Sequence, residues 1–304
     1  MKYVITGSAG HISKPLAEKL LSKGHSVTVI SRNAQSLTDL IAKGAVPAIG
    51  SVEDVDFLIK TFQGADAVYT MVPPNMAVTE WKNFIEKIGK NYANAIKASG
   101  VKYVVNLSSL GAHLPEGVGP VSGLYRVENA LNTLTDVNIR HLRPGYFYPN
   151  LFAQLSMIKK LGITGGNFGG NENKLVLSDP ADIAEAAAQE LLDLHFSGHS
   201  VCYLASDEKT PEEIAKILGT QIGKPELAWV VFTDEQATSG AVQAGLSEEI
   251  ATNYAEMGNA IRTGKMAEDY FKHRPATLGK IKLQDFAKTF AAVYNNEKEL
   301  VAAH

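Results

Sequence analysis

Near its start the chain passes from an apolar run ending in Val4 and Ile5, through Thr6-Gly7-Ser8-Ala9-Gly10, into Ile12, Leu16, Ala17, Leu20 and Leu21 at helical spacing. This reads as strand, small-residue turn and helix, and Gly24 supplies the helix stop. Pro15 suits the first helical turn, where its missing N–H would have had no intrahelical partner. Such a helix start aims its free N–H groups back over the turn, where geometry and dipole both favour a diphosphate. Gly7 serves the tight turn and Gly10 lets a diphosphate approach the backbone, with Ser8, Ala9, His11 and Ile12 completing the cradle. Ser13 stands where a third glycine is usual, a position that governs helix–strand packing more than binding. Two-glycine turns also join strands to helices without any ligand, so the context of the turn carries the inference.

That context repeats. Apolar β-rich runs follow at 26–30, 46–49, 67–72, 103–107 and 139–142, separated by helical stretches near 36–43, 53–62, 78–99 and 122–134. Strands apolar on both faces, each followed by a helix, imply an α/β fold with a doubly wound parallel sheet of Rossmann type. Its ligand site lies beyond the strand C-termini. The residues to inspect are therefore Ser51, then Val72-Pro73-Pro74, Ser108-Ser109 and Pro144-Gly145-Tyr146. The second strand ends Ser31-Arg32-Asn33, with no acid for a ribose 2′-OH and an arginine suited to a 2′-phosphate. NADP(H) is the expected cofactor; the alternative for Arg32 is an ordinary solvated loop residue.

Residues 1–150 are expected to form the dinucleotide domain, and 151–304 a smaller α-rich lobe that covers the strand ends. Residues 162–173, rich in glycine and asparagine, read as a loop. Short strands near 174–177 and 201–205 bracket a helix at 180–194, and further helices are expected near 211–221, 247–263 and 283–294. The stretch 295–304 shows no docking motif.

A net charge of −3 over 304 residues argues against a nucleic-acid surface. The single cysteine, Cys202, excludes an internal disulfide and suits a reducing cytosol. No leader and no long apolar run is seen, so a cytoplasmic protein without membrane contact is expected. The histidines never fall at metal-ligand spacing, so no metal is expected.

Taken in order, several segments resemble the NmrA-like branch of the atypical short-chain dehydrogenases/reductases. They are Thr6-Gly7-x-x-Gly10, Arg32, Gln63-Gly64-Ala65-Asp66-Ala67-Val68 leading to Val72-Pro73-Pro74, and Val101-Lys102-Tyr103-Val104-Val105 leading to Ser108-Ser109. Glu128, the run Leu142-Arg143-Pro144-Gly145-Tyr146-Phe147-Tyr148-Pro149-Asn150, and Asp179-x-x-Asp182-Ile183-Ala184 complete the set. The resemblance implies a Rossmann fold and NADP(H) binding. Its members include quinone and triphenylmethane dye reductases as well as redox-sensing regulators that bind dinucleotide without evident turnover. Two positions depart from the pattern. Ser51 replaces an Asp that many relatives place near the adenine. Tyr125 is followed four residues later by Asn129, so the Tyr-x-x-x-Lys pair of dehydrogenases is broken. Without that cation a phenol is a poor acid–base group at neutral pH.

Hydride transfer to a conjugated acceptor needs orientation and exclusion of water more than a strong general acid. Tyr146, Ser109 and His113 are the candidate catalytic residues: Tyr146 to line the pocket, Ser109 to hydrogen-bond a carbonyl or carboxamide, His113 to donate a proton. Each has an ordinary structural alternative, as a core aromatic, a loop cap and a solvated loop histidine respectively. The first functional reading is an NADPH-dependent reductase of quinone-like small molecules. The second is a non-catalytic NADP(H) sensor with a protein partner, and a sugar-epimerase-like enzyme is the least favoured.

Overall fold

The computed structural model describes residues 1–296. In chain order the first elements are β1 (Lys2–Ile5), α1 (Ser13–Ser22), β2 (Ser26–Ser31), α2 (Thr38–Ala42), β3 (Val46–Ile49) and α3 (Val55–Phe62). There follow β4 (Ala67–Thr70), α4 (Trp81–Ser99), β5 (Tyr103–Leu107), α5 (Val121–Leu131), β6 (Asn138–Pro144) and β7 (Tyr146–Phe147). The chain continues with α6 (Leu155–Leu161), β8 (Thr164–Gly166), β9 (Leu175–Ser178), α7 (Pro180–Asp193), β10 (His199–Leu204) and β11 (Asp207–Lys209). It closes with α8 (Pro211–Gln221), β12 (Trp229–Val231), α9 (Asp234–Gln243), α10 (Glu248–Arg262), α11 (Glu268–Lys272) and α12 (Leu283–Asn295). The stretch 297–304, most of the tail without a docking motif, lies outside the described residues.

The main sheet has seven strands in the order β10-β6-β5-β4-β1-β2-β3. The pairs β1–β2, β1–β4, β2–β3, β4–β5 and β5–β6 are all parallel. Chain order reverses on either side of β1, so the doubly wound α/β sheet expected from the alternation is present, and β1 ends at the switch point. Ile5, Val29, Val68, Val105 and Ile139 are all buried on the sheet, and so are Leu16 and Leu20 of α1 and Ile88 and Ile96 of α4. Each such side chain contributes roughly 1.5–3 kcal/mol of burial. Two glycines let α4 and α5 approach closely: a Cβ on Gly89 would sit 2.8 Å from Val127 Cα, and one on Gly123 2.8 Å from Ile85 Cβ.

The chain divides into two compact units. One comprises residues 1–116, 120–144 and 183–203; the other comprises 117–119, 145–182 and 204 onward. The second unit holds a three-stranded sheet, β11-β9-β7, and a two-stranded one, β12-β8. Its core gathers Tyr148, Leu155, Leu177, Leu218, Phe286 and Phe290. Tyr148 stacks on Phe286 with ring centroids 5.3 Å apart.

Within 162–173, expected as loop throughout, Thr164–Gly166 forms β8, parallel to β12. The glycines that suggested a loop serve close backbone approach instead: a Cβ on Gly165 would lie 2.3 Å from the Val230 carbonyl oxygen. Among the described residues no helix is long and apolar enough to cross a membrane. No cluster of three or more His, Cys, Asp or Glu could hold a metal among them either.

Candidate functional site

Each strand end of the first unit contributes to one region, beginning with the turn after β1. Gly7 has φ +91° and Ser8 φ +56°, so the left-handed residues of the turn are these two and not Gly10. A Cβ on Gly7 would lie 2.4 Å from Ser13 Oγ, so a side chain there would be strained by its φ and would displace the Ser13 hydroxyl. Thr6 ties the turn to β4: its N–H donates to the Tyr69 carbonyl at 3.1 Å, and its hydroxyl accepts from the Met71 N–H at 2.9 Å. Ser13 is buried and donates to the Thr6 carbonyl at 2.8 Å. Gly10 is exposed, and no side chain caps the start of α1 at Ile12. An uncapped helix start beside an open glycine suits an anionic group. Ser8 and Ala9 are half-buried, His11 is exposed and Ile12 is buried.

At the end of β2 three hydroxyls converge. Ser8 Oγ lies 2.9 Å from Ser31 Oγ and 3.0 Å from Ser36 Oγ, and the last two are 3.0 Å apart. Arg32 beside them is exposed, and among the described residues it has no hydrogen-bond or ion-pair partner. Sequence reasoning singled out Ser8 and Arg32 but missed Ser31 and Ser36. The small polar residues following β2 were the available signal, and they read equally as turn formers.

Beyond β3, the Ser51 hydroxyl accepts from the Glu53 N–H at 3.2 Å, which makes it a turn cap here. After β4, Val72 and Pro73 are half-buried and Pro74 exposed. The Tyr92 hydroxyl donates to the Met71 carbonyl at 2.7 Å and holds this strand end against α4.

After β5, the two serines differ in environment. Ser108 is buried, and its hydroxyl donates to Glu128 Oε1 of α5 at 2.5 Å. Ser109 is half-buried and donates to the Leu110 carbonyl at 3.0 Å. His113 is half-buried in the following loop, and Pro144, at the end of β6, accepts from the Leu110 N–H at 2.8 Å. Glu128 also receives a fork from Arg143, with Nε to Oε1 at 2.9 Å and a terminal nitrogen to Oε2 at 2.6 Å. Tyr125 is half-buried on α5, while Asn129, in the place of the dehydrogenase lysine, is exposed.

Gly145 and Tyr146 belong to the second unit. The Gly145 N–H donates to the Leu204 carbonyl at 3.1 Å and to Ser178 Oγ at 2.9 Å. A Cβ there would lie 2.2 Å from the Val176 carbonyl oxygen, so the glycine serves β7–β9 contact. Burial, with Tyr254 nearby, pushes the Tyr146 phenol well above its usual range. It stays protonated at neutral pH and can donate a hydrogen bond.

Comparison with known proteins agrees with this geometry. The model of the NAD(P)H-binding family matches residues 7–136. An NAD(P)H azoreductase of Xenophilus azovorans is 24% identical over 256 residues, covering 84% of this chain and 85% of that protein. An NADPH-dependent quinone oxidoreductase of Escherichia coli superposes with a TM-score of 0.77 at 22% identity, over 95% of this chain and 99% of that one. The Citrobacter sp. triphenylmethane reductase also gives 0.77, at 21% identity over 96% and 100%. At these identities the solved structures establish the fold. The match over 7–136 falls on the glycine turn and on β2 to β5 of the parallel sheet, the part of this chain that is similar to the NAD(P)H-binding family.

Proposed function

We propose that the protein is an NADPH-dependent reductase of quinone-like or otherwise conjugated small molecules. The observation that carries this reading is the end of β2, where Arg32 stands unengaged beside three converging hydroxyls and no acidic residue follows the strand. A guanidinium and hydroxyls suit a 2′-phosphate; a carboxylate, which would suit a free 2′-OH, is missing. The quinone oxidoreductase and the triphenylmethane reductase are each known in complex with NADPH or NADP(H), which supports the same preference.

The residues fit such a group. Gly7, Ser8, Ala9, Gly10, His11 and Ile12 offer an open turn and an uncapped helix start to a diphosphate, and Gly10 leaves room for its approach. Arg32 takes the 2′-phosphate, and Ser51 with Val72, Pro73 and Pro74 borders the nucleoside end. Bound NADPH supplies a hydride. Ser109 would turn its hydroxyl from the Leu110 carbonyl to donate to oxygen that gains charge, and His113 would supply a proton from the adjoining loop; Tyr146, kept protonated in the second unit, can also donate a hydrogen bond. Pro144, at the end of β6 beside Ser109, would offer backbone to the same group. Ser108 acts indirectly, since its hydroxyl is committed to Glu128. None of these roles needs a depressed phenol, which agrees with Asn129 replacing the lysine.

The test is NADPH oxidation against a panel of quinones and azo and triphenylmethane dyes, with NADPH affinity measured alongside. Turnover with at least one class supports the reductase. Tight binding without turnover replaces it with the dinucleotide sensor.

A further inference from the structure

We infer that Glu128 and Arg143 are positioning residues, which hold the turn 108–112 so that Ser109 is presented in one fixed place. The inference rests on the reductase reading for its catalytic readout only.

The two side chains form an ion pair with 5% and 9% of their surfaces exposed. Removing both charges from water is costly, and a buried pair is often no more stabilising than apolar residues of the same size. What this pair does is visible in its other bonds. Glu128 Oε1 takes the Ser108 hydroxyl, at the near end of the turn. A terminal nitrogen of Arg143 reaches the Ala112 carbonyl at 3.4 Å, at the far end. The other terminal nitrogen donates to the Tyr203 hydroxyl at 3.0 Å, which anchors the guanidinium to β10.

Between these two ties the backbone is also held. The Ser108 N–H donates to the Leu142 carbonyl at 2.8 Å, and the Leu110 N–H to the Pro144 carbonyl at 2.8 Å. The Ala112 N–H closes the turn on the Ser109 carbonyl at 3.1 Å. Gly111, at φ +90°, supplies the left-handed step that the turn needs. Ser109 therefore sits in a short turn hung at both ends from one charge pair. The helix α5, which carries Tyr125 and Asn129, contributes the Glu128 carboxylate to this turn.

The decisive variant is Ser108→Ala, which cuts one tie and leaves no buried charge unpaired. The expected result is a fall in kcat of about 10- to 100-fold, as for a misplaced reacting group. NADPH affinity should stay within about twofold and the thermal midpoint within a few degrees, as for one lost hydrogen bond. Ser108→Thr keeps a hydroxyl and should restore most of the rate. Amide hydrogen exchange at Leu110 and Ala112 should quicken in Ser108→Ala while the rest of the sheet keeps its protection. Glu128→Gln should do the same more strongly; if that variant does not fold, Ser108→Ala alone decides. Wild-type kcat and wild-type exchange in Ser108→Ala overturn the inference, as does a rate loss matched by an equal loss of NADPH affinity. Should the unmutated protein reduce no acceptor, the reductase reading fails on its own. The exchange measurement then still decides: faster exchange confined to the turn upholds the clamp, and unchanged exchange removes it.

Discussion

The Ser13 hydroxyl donates to the Thr6 carbonyl at 2.8 Å, and this bond occupies the space into which a side chain on Gly7 would have to grow. The residue in the third-glycine position thus joins α1 to the end of β1 by a hydrogen bond where a glycine would join them by contact alone. Replacing Ser13 with Ala should lower unfolding free energy by about 0.5–1.5 kcal/mol, the usual net worth of such a bond. NADPH affinity should hardly change. Urea unfolding and calorimetry check the two halves; a large affinity loss at unchanged stability would place Ser13 in the binding site instead.

Arg32→Ala should weaken NADPH binding by about 1.5–3 kcal/mol, in the range for hydrogen bonds to charged groups, and leave NADH nearly unaffected. Ser36→Ala should act in the same direction but less, since Ser8 and Ser31 still support one another at 2.9 Å. Titration calorimetry with both dinucleotides reads this directly. Equal affinities for NADPH and NADH in the unmutated protein would remove the basis of the cofactor assignment.

Tyr125→Phe should reduce quinone turnover by less than about tenfold, below the range for loss of a tuned general acid. Tyr146→Ala should do more damage, because it removes a hydrogen-bond donor together with the ring. Steady-state kinetics on the two variants separates them. A thousandfold loss at Tyr125 would require some other cation to stand in for the missing lysine.

His141 should make the protein sensitive to mild acid. Burial, its largest cause, drives its pKa down to about 4; Glu128 opposes this, while Arg143 and His199 reinforce it. The bonding explains why the neutral ring is kept. Thr70 donates to Asn106 Oδ1 at 2.9 Å, so the Asn106 amide nitrogen donates to His141 Nδ1 at 3.1 Å, and Nε2–H faces Asn132 Oδ1 at 3.0 Å. The unfolded ring titrates near 6.5. The stability this residue contributes is therefore intact above pH 6.5 and is lost as pH falls towards 4, at up to about 1.4 kcal/mol per pH unit. Denaturant titrations at pH 7, 5.5 and 4.5 should show this slope, and it should flatten in His141→Gln. An identical slope in the variant would assign the acid sensitivity to other groups.

The elements legible in the sequence are those with strong local periodicity. The turn at 6–10 announced itself because small residues interrupt a β-run just before an amphipathic helix. β8 and β12 went unseen because three-residue strands of Thr164-Gly165-Gly166 and Trp229-Val230-Val231 have no period to read. α9 buries none of its residues and so has no apolar stripe to read. Of the site, the single positions past each strand could be named, but their partnerships could not. Ser36 meets Ser8 across 28 residues, and Ser108 meets Glu128 across 20. Such meetings are products of the fold and leave no spacing rule in the chain.

The strand order has a consequence for synthesis. β6 lies between β5 and β10, yet β10 begins at His199, after the whole of 145–182 has been laid down in the other unit. While the ribosome makes those intervening residues, the flank of β6 that awaits β10 stays an open edge, with the Ile139 N–H still without the Gly198 carbonyl that it will meet at 2.8 Å. An unpaired edge beside buried-type residues is where chains join wrongly to one another. A nascent-chain binder that shields β6 during that interval should therefore raise the yield of folded protein more than one acting on the finished fold.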